Sequence, residues 1–176
     1  MADGGIHDQV GGGFHRYSTD REWLTPHFEK MLYDQALLVE AYLDAWQVTG
    51  DQRHADIARD ILEYTLRDLR DEGGAFHSAE DADSEGVEGK FYVWSMAELK
   101  AHLGGDAAVV ASAWGCADHG NFHDEASGTQ TGDNILHLPR PLDQTAKLHG
   151  IETATLRATL DRAREILFEV RSHRVR

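Results

Sequence analysis

Three short segments of the sequence concentrate the side chains that acid–base chemistry uses. The first is a glycine-rich stretch over residues 4–18 that presents His15, Arg16 and Tyr17. Guanidinium and phenol groups bind hydroxyl or carboxylate ligands. The glycines match neither the dinucleotide-binding pattern nor a phosphate-binding P-loop. The segment is therefore interpreted as a loop that binds a small ligand, or as an ordered loop whose His and Arg pair with nearby carboxylates.

The second segment directly follows Thr25-Pro26, a pair typical of a helix start. It holds four polar side chains within eight residues, at His27, Glu29, Lys30 and Asp34. In a helix, the spacings of three residues from His27 to Lys30 and of four from Lys30 to Asp34 would place these side chains on one face. The helix dipole disfavours cations at this end, which would suit His27 or Lys30 to acid–base work. The alternative is an exposed helix face with one ordinary ion pair.

The third segment is acidic and lies between two short aromatic stretches at residues 74–78 and 90–94. Its candidate carboxylates are Glu80, Asp81, Asp83 and Glu85. Paired carboxylates can act as the general acid and base that cleave a glycosidic bond. The spacing also partly matches a calcium-binding loop, but Tyr92 stands where that loop needs its last carboxylate. Three interpretations stay open, namely an acid–base pair, a solvated hairpin loop and a metal-stabilised loop; we expect no resident metal and no cofactor.

The amino-acid composition limits the kinds of molecule that the chain could bind. The chain has 176 residues, with 31 acidic against 17 basic side chains, so its formal net charge is −14. That balance argues against a nucleic-acid partner, which needs clustered Lys and Arg, and against docking on anionic lipid membranes. Cys116 is the only cysteine, which excludes an internal disulfide. No apolar run reaches the length of a membrane span and the first residues do not resemble a signal peptide, so we expect a cytoplasmic protein.

Hydrophobic spacing predicts a mainly α domain with small β-hairpins. Apolar side chains three and four residues apart predict an antiparallel pair of helices at residues 26–49 and 52–70. Ser95 and Glu98 form a capping box, which predicts the start of a third helix. The other predicted elements are a hairpin of strands 74–78 and 90–94, helices 95–104, 106–114 and 153–173, and a strand at 135–138.

Two blocks of the sequence closely resemble the spermatogenesis-associated protein 20 family, also called YyaL-like thioredoxin domain-containing proteins. The blocks read GGIHDQVGGGFHRYSTDREWLTPHFEKMLYDQALL and GGAFHSAEDADSEGVEGKFYVW. The resemblance implies an N-terminal thioredoxin-like domain followed by an (α/α) toroid of the six-hairpin glycosidase and sugar 2-epimerase type. Residues 1–176 would form a single partial domain, the first part of that toroid, without the thioredoxin-like domain and the later helices.

By fold analogy, the resemblance implies a carbohydrate-processing function, as an epimerase, an isomerase or a glycosidase. The site of such a toroid lies at one end of the ring, in the loops between helices. In an epimerase His15 or His27 would move the proton, and in a hydrolase Glu80 would work with Asp81 or Asp83. The side chains expected to bind a small sugar are Arg16, Tyr17, Trp23, Glu29, Lys30, Asp34 and Glu85, with Tyr17, Trp23 and Trp94 as aromatic platforms.

The alternative function is a non-catalytic binding or scaffold module that works with the thioredoxin-like domain of intact family members. We expect this chain alone to be inactive, because an incomplete ring lacks part of its site. Helix faces left uncovered, such as the apolar stripe over residues 156–170, would then favour self-association.

Overall fold

The computed structural model describes residues 1–123 and 129–176. Most of the regular structure within them is helical, which confirms the mainly α class. The helices are α1 (Leu32–Thr49), α2 (Gln52–Tyr64), α3 (Met96–Leu103), α4 (Ala107–Ala113), α5 (Leu142–His149) and α6 (Thr153–Ser172), and a π-helical turn at Thr65–Leu69 continues α2. None of these helices combines the length and the apolar character that crossing a membrane requires.

Short strands in the described residues pair into four antiparallel ribbons. The pairs are β1 (Tyr17–Ser18) with β2 (Pro26–His27), β3 (Lys30–Met31) with β4 (Ala79–Glu80), β5 (Asp83–Ser84) with β6 (Val87–Glu88), and β7 (Trp94–Ser95) with β8 (Asp133–Asn134). The prediction that residues 74–78 pair with residues 90–94 is therefore wrong. The β3–β4 and β7–β8 ribbons tie the backbone near each stretch to a distant segment, and the acidic loop between them folds into its own β5–β6 hairpin.

The predicted start of the first helix is also wrong, because α1 begins at Leu32. Between Pro26 and Met31 burial alternates: Phe28 and Lys30 are 2% and 1% exposed, whereas the residues between them face outward. This period of two is that of a strand, not of a helix. The backbone groups of this segment form hydrogen bonds with other parts of the chain; Arg16 N, for example, donates to Glu29 O at 2.8 Å. His27 and Lys30 consequently lie on opposite sides of the chain.

Most of the later helix predictions are confirmed. The helix α2 begins at Gln52, behind an Asp51 side chain that accepts from Arg53 N at 3.0 Å. The capping box of Ser95 and Glu98 is present at the start of α3. The sequence analysis missed α5, and the strand predicted at residues 135–138 is wrong because the pairing occurs one step earlier, at β8.

The apolar stripe of α6 lies inside the main hydrophobic core. Leu156 and Leu167 are fully buried, in a cluster that also contains Trp94, Leu99 and Val110. The prediction that this stripe is uncovered is therefore wrong, because α3, α4 and α5 pack against it. The exposed large apolar side chains of the first helical pair are Tyr33, Leu37, Trp46, Val48, Leu62 and Leu66.

A buried ionic network joins the glycine-rich loop to β3 and to α6. The Asp8 carboxylate accepts from Lys30 Nζ at 2.8 Å and from both terminal nitrogens of Arg171 at 2.9 Å each. Its Oδ1 also accepts from the backbone N–H groups of Val10 and Gly11. The side chains of Asp8, Lys30 and Arg171 are at most 4% exposed. One carboxylate thus fixes the loop against two cations that are distant from it in sequence.

Tight contacts explain the glycines of the loop. Gly13 has φ +74°, and a Cβ there would lie 2.4 Å from the Tyr64 ring. Gly12 has φ +77°, and its carbonyl oxygen accepts from Lys30 Nζ at 2.9 Å. Asp60 on α2 accepts from Gly13 N at 3.2 Å and from His7 at 2.9 Å, and it also pairs with Arg164 of α6. The loop is therefore ordered and packed on the α2 surface, not a flexible tail.

We predict that Arg171→Met lowers the free energy of unfolding by about 3–5 kcal/mol, because a buried carboxylate then loses its two-point partner. Urea denaturation followed by circular dichroism measures the change. Arg157→Met is the matched control, since Arg157 is exposed on the same helix and its loss should stay within about 0.5 kcal/mol. Equal effects of the two substitutions would contradict the role of the network.

A second prediction separates conformational strain from steric overlap. Gly50→Ala should cost about 1–2 kcal/mol, since Gly50 has φ +70° but open space where a Cβ would stand. Gly13→Ala should cost a further ~1–3 kcal/mol because its Cβ overlaps the Tyr64 ring. Thermal and urea unfolding of the two variants give the difference, and a Gly13→Ala variant as stable as Gly50→Ala would show that the loop is not packed as described.

Candidate functional site

A group of exposed and half-exposed polar side chains lies along the β1–β2 ribbon and the start of α1. We call it the polar cluster, and its members are Arg16, Tyr17, His27, Glu29, Tyr33, Asp34 and Glu88. The register of the ribbon pairs Tyr17 with His27, and the strand alternation that buries Phe28 and Lys30 turns His27 and Glu29 outward. The β5–β6 hairpin then brings Glu88 against His27 from 61 residues away.

Four side chains of the polar cluster form a continuous row. Glu88 Oε1 is 2.6 Å from His27 Nδ1 and also accepts from Phe28 N at 3.3 Å. His27 Nε2 lies 3.7 Å from Glu29 Oε2, and Glu29 Oε2 accepts from Arg16 Nη1 at 2.8 Å. Since a carboxylate only accepts, Nδ1 carries the proton that is shared with Glu88, and in the neutral ring Nε2 keeps its lone pair. The row is therefore carboxylate, imidazole, carboxylate and guanidinium.

Aromatic rings flank this row. The Tyr17 ring stacks on the His27 ring with centroids 5.0 Å apart and 25° between the planes. Tyr17 and Tyr33 are each about half exposed. The hydrogen bond from Arg16 to Glu29 raises the pKa of the guanidinium above its ordinary value, and the nearby Tyr33 hydroxyl acts in the same direction. Arg16 therefore stays a cation at any working pH, between a carboxylate and a phenol.

The pKa of the Asp34 carboxyl is shifted by its surroundings. Partial burial raises the pKa of its carboxyl, and the charge of Glu29 adds to that effect while Arg16 opposes it. Its Oδ2 is buried and has no hydrogen-bond partner among the described residues. A raised pKa makes this carboxyl a candidate for proton transfer to or from a ligand.

Of the sequence-predicted site residues, His15 and Lys30 are buried and Glu80 is partly buried. His15 is 3% exposed, and its Nδ1 donates to the Phe28 carbonyl oxygen at 2.9 Å. Lys30 belongs to the Asp8 network and not to an ion pair with Asp34. Glu80 accepts from the Tyr64 hydroxyl at 2.8 Å and faces Arg176 Nε at 3.4 Å. These contacts stabilise the packed interior on which the polar cluster lies.

The rest of the acidic segment is spread over the β5–β6 hairpin. Asp81 Oδ1 accepts from Asp83 N at 3.1 Å, and Asp83 is exposed. Glu85 sits in the hairpin turn with φ +53° and pairs with Lys90 at 2.6 Å. In the described residues no three His, Cys, Asp or Glu side chains are grouped to hold a metal ion. Trp23 stands apart, in the connection between β1 and β2, with φ +62°.

The structure thus brings together Arg16, Tyr17, His27, Glu29 and Asp34, and it adds residues that the sequence analysis did not select. Glu88 was missed because only the β5–β6 pairing places it beside His27. Tyr33 was missed because the sequence gives no signal that it interacts with Arg16. Asp8 and Arg171 were missed because nothing in the sequence links two positions 163 residues apart.

Comparison with known proteins gives a consistent set of relatives, although no protein-family model matches the chain. It is 43% identical to spermatogenesis-associated protein 20 of Mus musculus and 41% identical to that of Homo sapiens, in each case over 99% of this chain and 24% of the relative. An uncharacterised Caenorhabditis elegans protein, B0495.5, is 39% identical over 99% of the chain and 26% of its own length. The chain therefore spans about a quarter of the length of the curated relatives it matches.

His15 provides a pH test of the buried side of the site. Burial, together with the charge of Lys30, lowers the pKa of its imidazole from 6.5 to about 3. In the unfolded chain His15 takes up a proton near pH 6.5, while in the folded chain it stays neutral. Its contribution to stability is therefore complete above pH 6.5 and is lost as the pH falls toward 3.

We predict that His15→Gln flattens this dependence, removing roughly 2–3 kcal/mol of the stability difference between pH 6.5 and pH 4.5. Urea denaturation at several pH values measures it. In parallel, the ¹⁵N chemical shifts of the His15 ring should stay those of a neutral imidazole down to pH 4.5. A ring that titrates near pH 6 would contradict the buried, neutral assignment.

Proposed function

Because the chain belongs to the spermatogenesis-associated protein 20 family, we propose that it is the first part of an (α/α) toroid of the six-hairpin glycosidase and sugar 2-epimerase type, and that its polar cluster binds and processes a carbohydrate. The antiparallel α1–α2 pair supports the toroid, since such rings repeat helical hairpins. The cluster lies at the β1–β2 ribbon and the start of α1, which is a loop end of that hairpin. A loop end is where sites of this kind of ring are built.

The row from Glu88 through His27 and Glu29 to Arg16 is the observation that carries the proposal. A sugar presents hydroxyl groups that both donate and accept, and the row offers carboxylate oxygens that accept together with a guanidinium that donates. The exposed Tyr17 and Tyr33 rings offer apolar faces beside the row, on which the C–H surface of a sugar ring can pack. A polar row with flanking aromatic faces therefore suits a carbohydrate better than an apolar ligand.

The same residues suggest a proton-transfer reaction. His27 Nε2 can accept a proton from a carbon next to a sugar carbonyl, while Glu88 holds the ring through Nδ1. Asp34, whose carboxyl has its pKa raised by partial burial, would be the second proton-transfer group. Arg16 would bind the carbonyl or a neighbouring hydroxyl. This supports an epimerase or isomerase more than a hydrolase built on Glu80, whose carboxylate is already bound to Tyr64 and faces Arg176.

A non-catalytic binding module that works with a thioredoxin-like domain is the alternative proposal. It would use the same polar row as a docking surface. Sugar turnover that depends on His27 separates the two proposals, because a docking surface needs no proton acceptor. The thioredoxin-like domain, the rest of the ring and a cytoplasmic location also belong to the proposal. Since this chain would hold only part of the ring, weak binding without turnover is expected of it alone.

The first test of this function is sugar binding. We expect calorimetry or NMR titration of the 176-residue chain with a panel of mono- and disaccharides to detect millimolar binding. Arg16→Ala should weaken that binding at least tenfold, about 1.4 kcal/mol, because it removes the charged donor of the row. Arg21→Ala is the matched control, an exposed arginine in the connection between β1 and β2. No binding to any member of the panel, or equal losses in the two variants, would count against the proposal.

The second test is proton exchange on the sugar, measured in the full-length relative from mouse with this chain in place of the segment that it matches and with His27 as the test position. The expected result is incorporation of deuterium from D₂O next to the sugar carbonyl, with a loss of roughly 100-fold or more when that histidine is replaced by glutamine. A glutamine at the position of Glu88 should slow exchange less, since it can still hold the ring. Undiminished exchange in the histidine variant would assign the proton transfer to another group.

A further inference from the structure

A separate cleft of about 630 Å³ lies between the β5–β6 hairpin and the C-terminal end of α6. Its floor contains Val93 and Phe122, which are each 8% exposed. Val87 and Val175 stand at the rim and are about half exposed. A volume of this size with an apolar floor is typical of small-molecule sites.

Most charged groups of this cleft have an ion-pair partner, but one carboxylate has none among the described residues. Its carboxylates are Glu85, Glu88, Glu98 and Asp133, and its permanent cations are Lys90 and Arg174. Glu85 is paired with Lys90 at 2.6 Å, Glu88 with His27 at 2.6 Å, and Glu98 with Arg174 at 2.9 Å. The Asp133 side chain has no hydrogen bond or ion pair within residues 1–123 and 129–176, while its backbone N–H donates to Thr131 Oγ1 at 3.1 Å.

Both cations of the cleft already form ion pairs with carboxylates, and this pairing determines which charge a bound ligand can carry. Arg174 donates from Nη1 to the carbonyl oxygens of Phe91 and Val93 at 2.8 Å each, and from Nη2 to Glu98. Its guanidinium also lies 3.9 Å from the centroid of the Trp94 ring. An anionic ligand would therefore have to break an existing ion pair, whereas a cationic ligand meets the partnerless carboxylate of Asp133.

The environment of the Asp133 carboxyl also favours a cationic ligand. Partial burial raises the pKa of its carboxyl, and the neighbouring charge of Glu98 adds to the effect while Arg174 opposes it. A positive group placed beside Asp133 would relieve both causes, because it would compensate the lost hydration and the repulsion from Glu98. The apolar floor formed by Val93 and Phe122 would at the same time exclude water from the bond.

We infer that this cleft binds a small amphipathic amine, whose ammonium group pairs with Asp133 and whose apolar body packs on Val93 and Phe122. The inference goes beyond the proposed carbohydrate function, since it uses a different cavity and a different carboxylate. Only Glu88 is common to the cleft and the polar cluster, and it is already engaged by His27. The two sites can therefore be tested separately.

The test is an NMR titration of the ¹⁵N-labelled 176-residue chain with three ring compounds that differ in charge, namely benzylamine, benzyl alcohol and benzoate. We expect benzylamine to bind at least tenfold more tightly than benzyl alcohol, and benzoate not to bind. The amide signals that move should include those of Val93, Phe122 and Asp133. Asp133→Asn should reduce the affinity for benzylamine to that for benzyl alcohol, while Asp161→Asn, at an exposed position of α6, should change nothing.

Equal affinities for benzylamine and benzyl alcohol would overturn the inference, and so would shifts confined to other parts of the chain. If Asp133→Asn does not fold, the comparison of the three compounds on the unmodified chain still decides. Arg16→Ala should leave benzylamine binding unchanged. A chain that binds sugars but not benzylamine refutes only the cleft, and one that binds benzylamine but no sugar refutes only the carbohydrate function.

Discussion

The buried carboxylate of Asp8 is the interaction on which the rest of the structure depends. It connects a glycine-rich loop at the start of the chain, strand β3 and the last turn of α6 through Lys30 and Arg171. Burying three charges contributes little net stability over an apolar core, but leaving one of them without its partners is costly. The network therefore acts mainly by selecting one arrangement, since any other packing of these three segments would bury an unpaired charge.

This arrangement decides which polar side chains can meet a ligand. Because Lys30 must point inward to reach Asp8, strand alternation turns His27 and Glu29 outward. Phe28 points inward beside Lys30, and its carbonyl oxygen accepts from the buried His15. The outward side chains then form the polar row with Arg16 and Glu88. The buried ion pair and the exposed candidate site thus use opposite sides of the same extended segment, residues 26–31.

The acidic excess of the chain, −14 overall, is partly balanced by arginines near the end of the sequence. Arg164 pairs with Asp60, Arg174 with Glu98, and Arg176 with Asp68 and Glu80. The last helix and the residues that follow it therefore bind acidic groups of α2, the π-helical turn, α3 and β4, which are more than 60 residues away. In the cleft beside it, Asp133 is the carboxylate that this pairing leaves without a partner in the described residues.

The sequence by itself determined the helical class, the capping box at Ser95, the start of α2, the bounds of α6, and the segments in which the polar residues of the site stand. These features are local, since they depend on side chains within one or two turns of one another. It also determined the family, through two long blocks of residue identities. The sequence could not determine the start of α1. Thr25-Pro26 suits a helix start locally, but the extended segment that follows it is stabilised by backbone hydrogen bonds with residues 16 and 78. The partners of Lys30, Glu80 and His27 were decided only by the tertiary structure, because a partner 16 to 96 residues away leaves no periodic trace in the sequence.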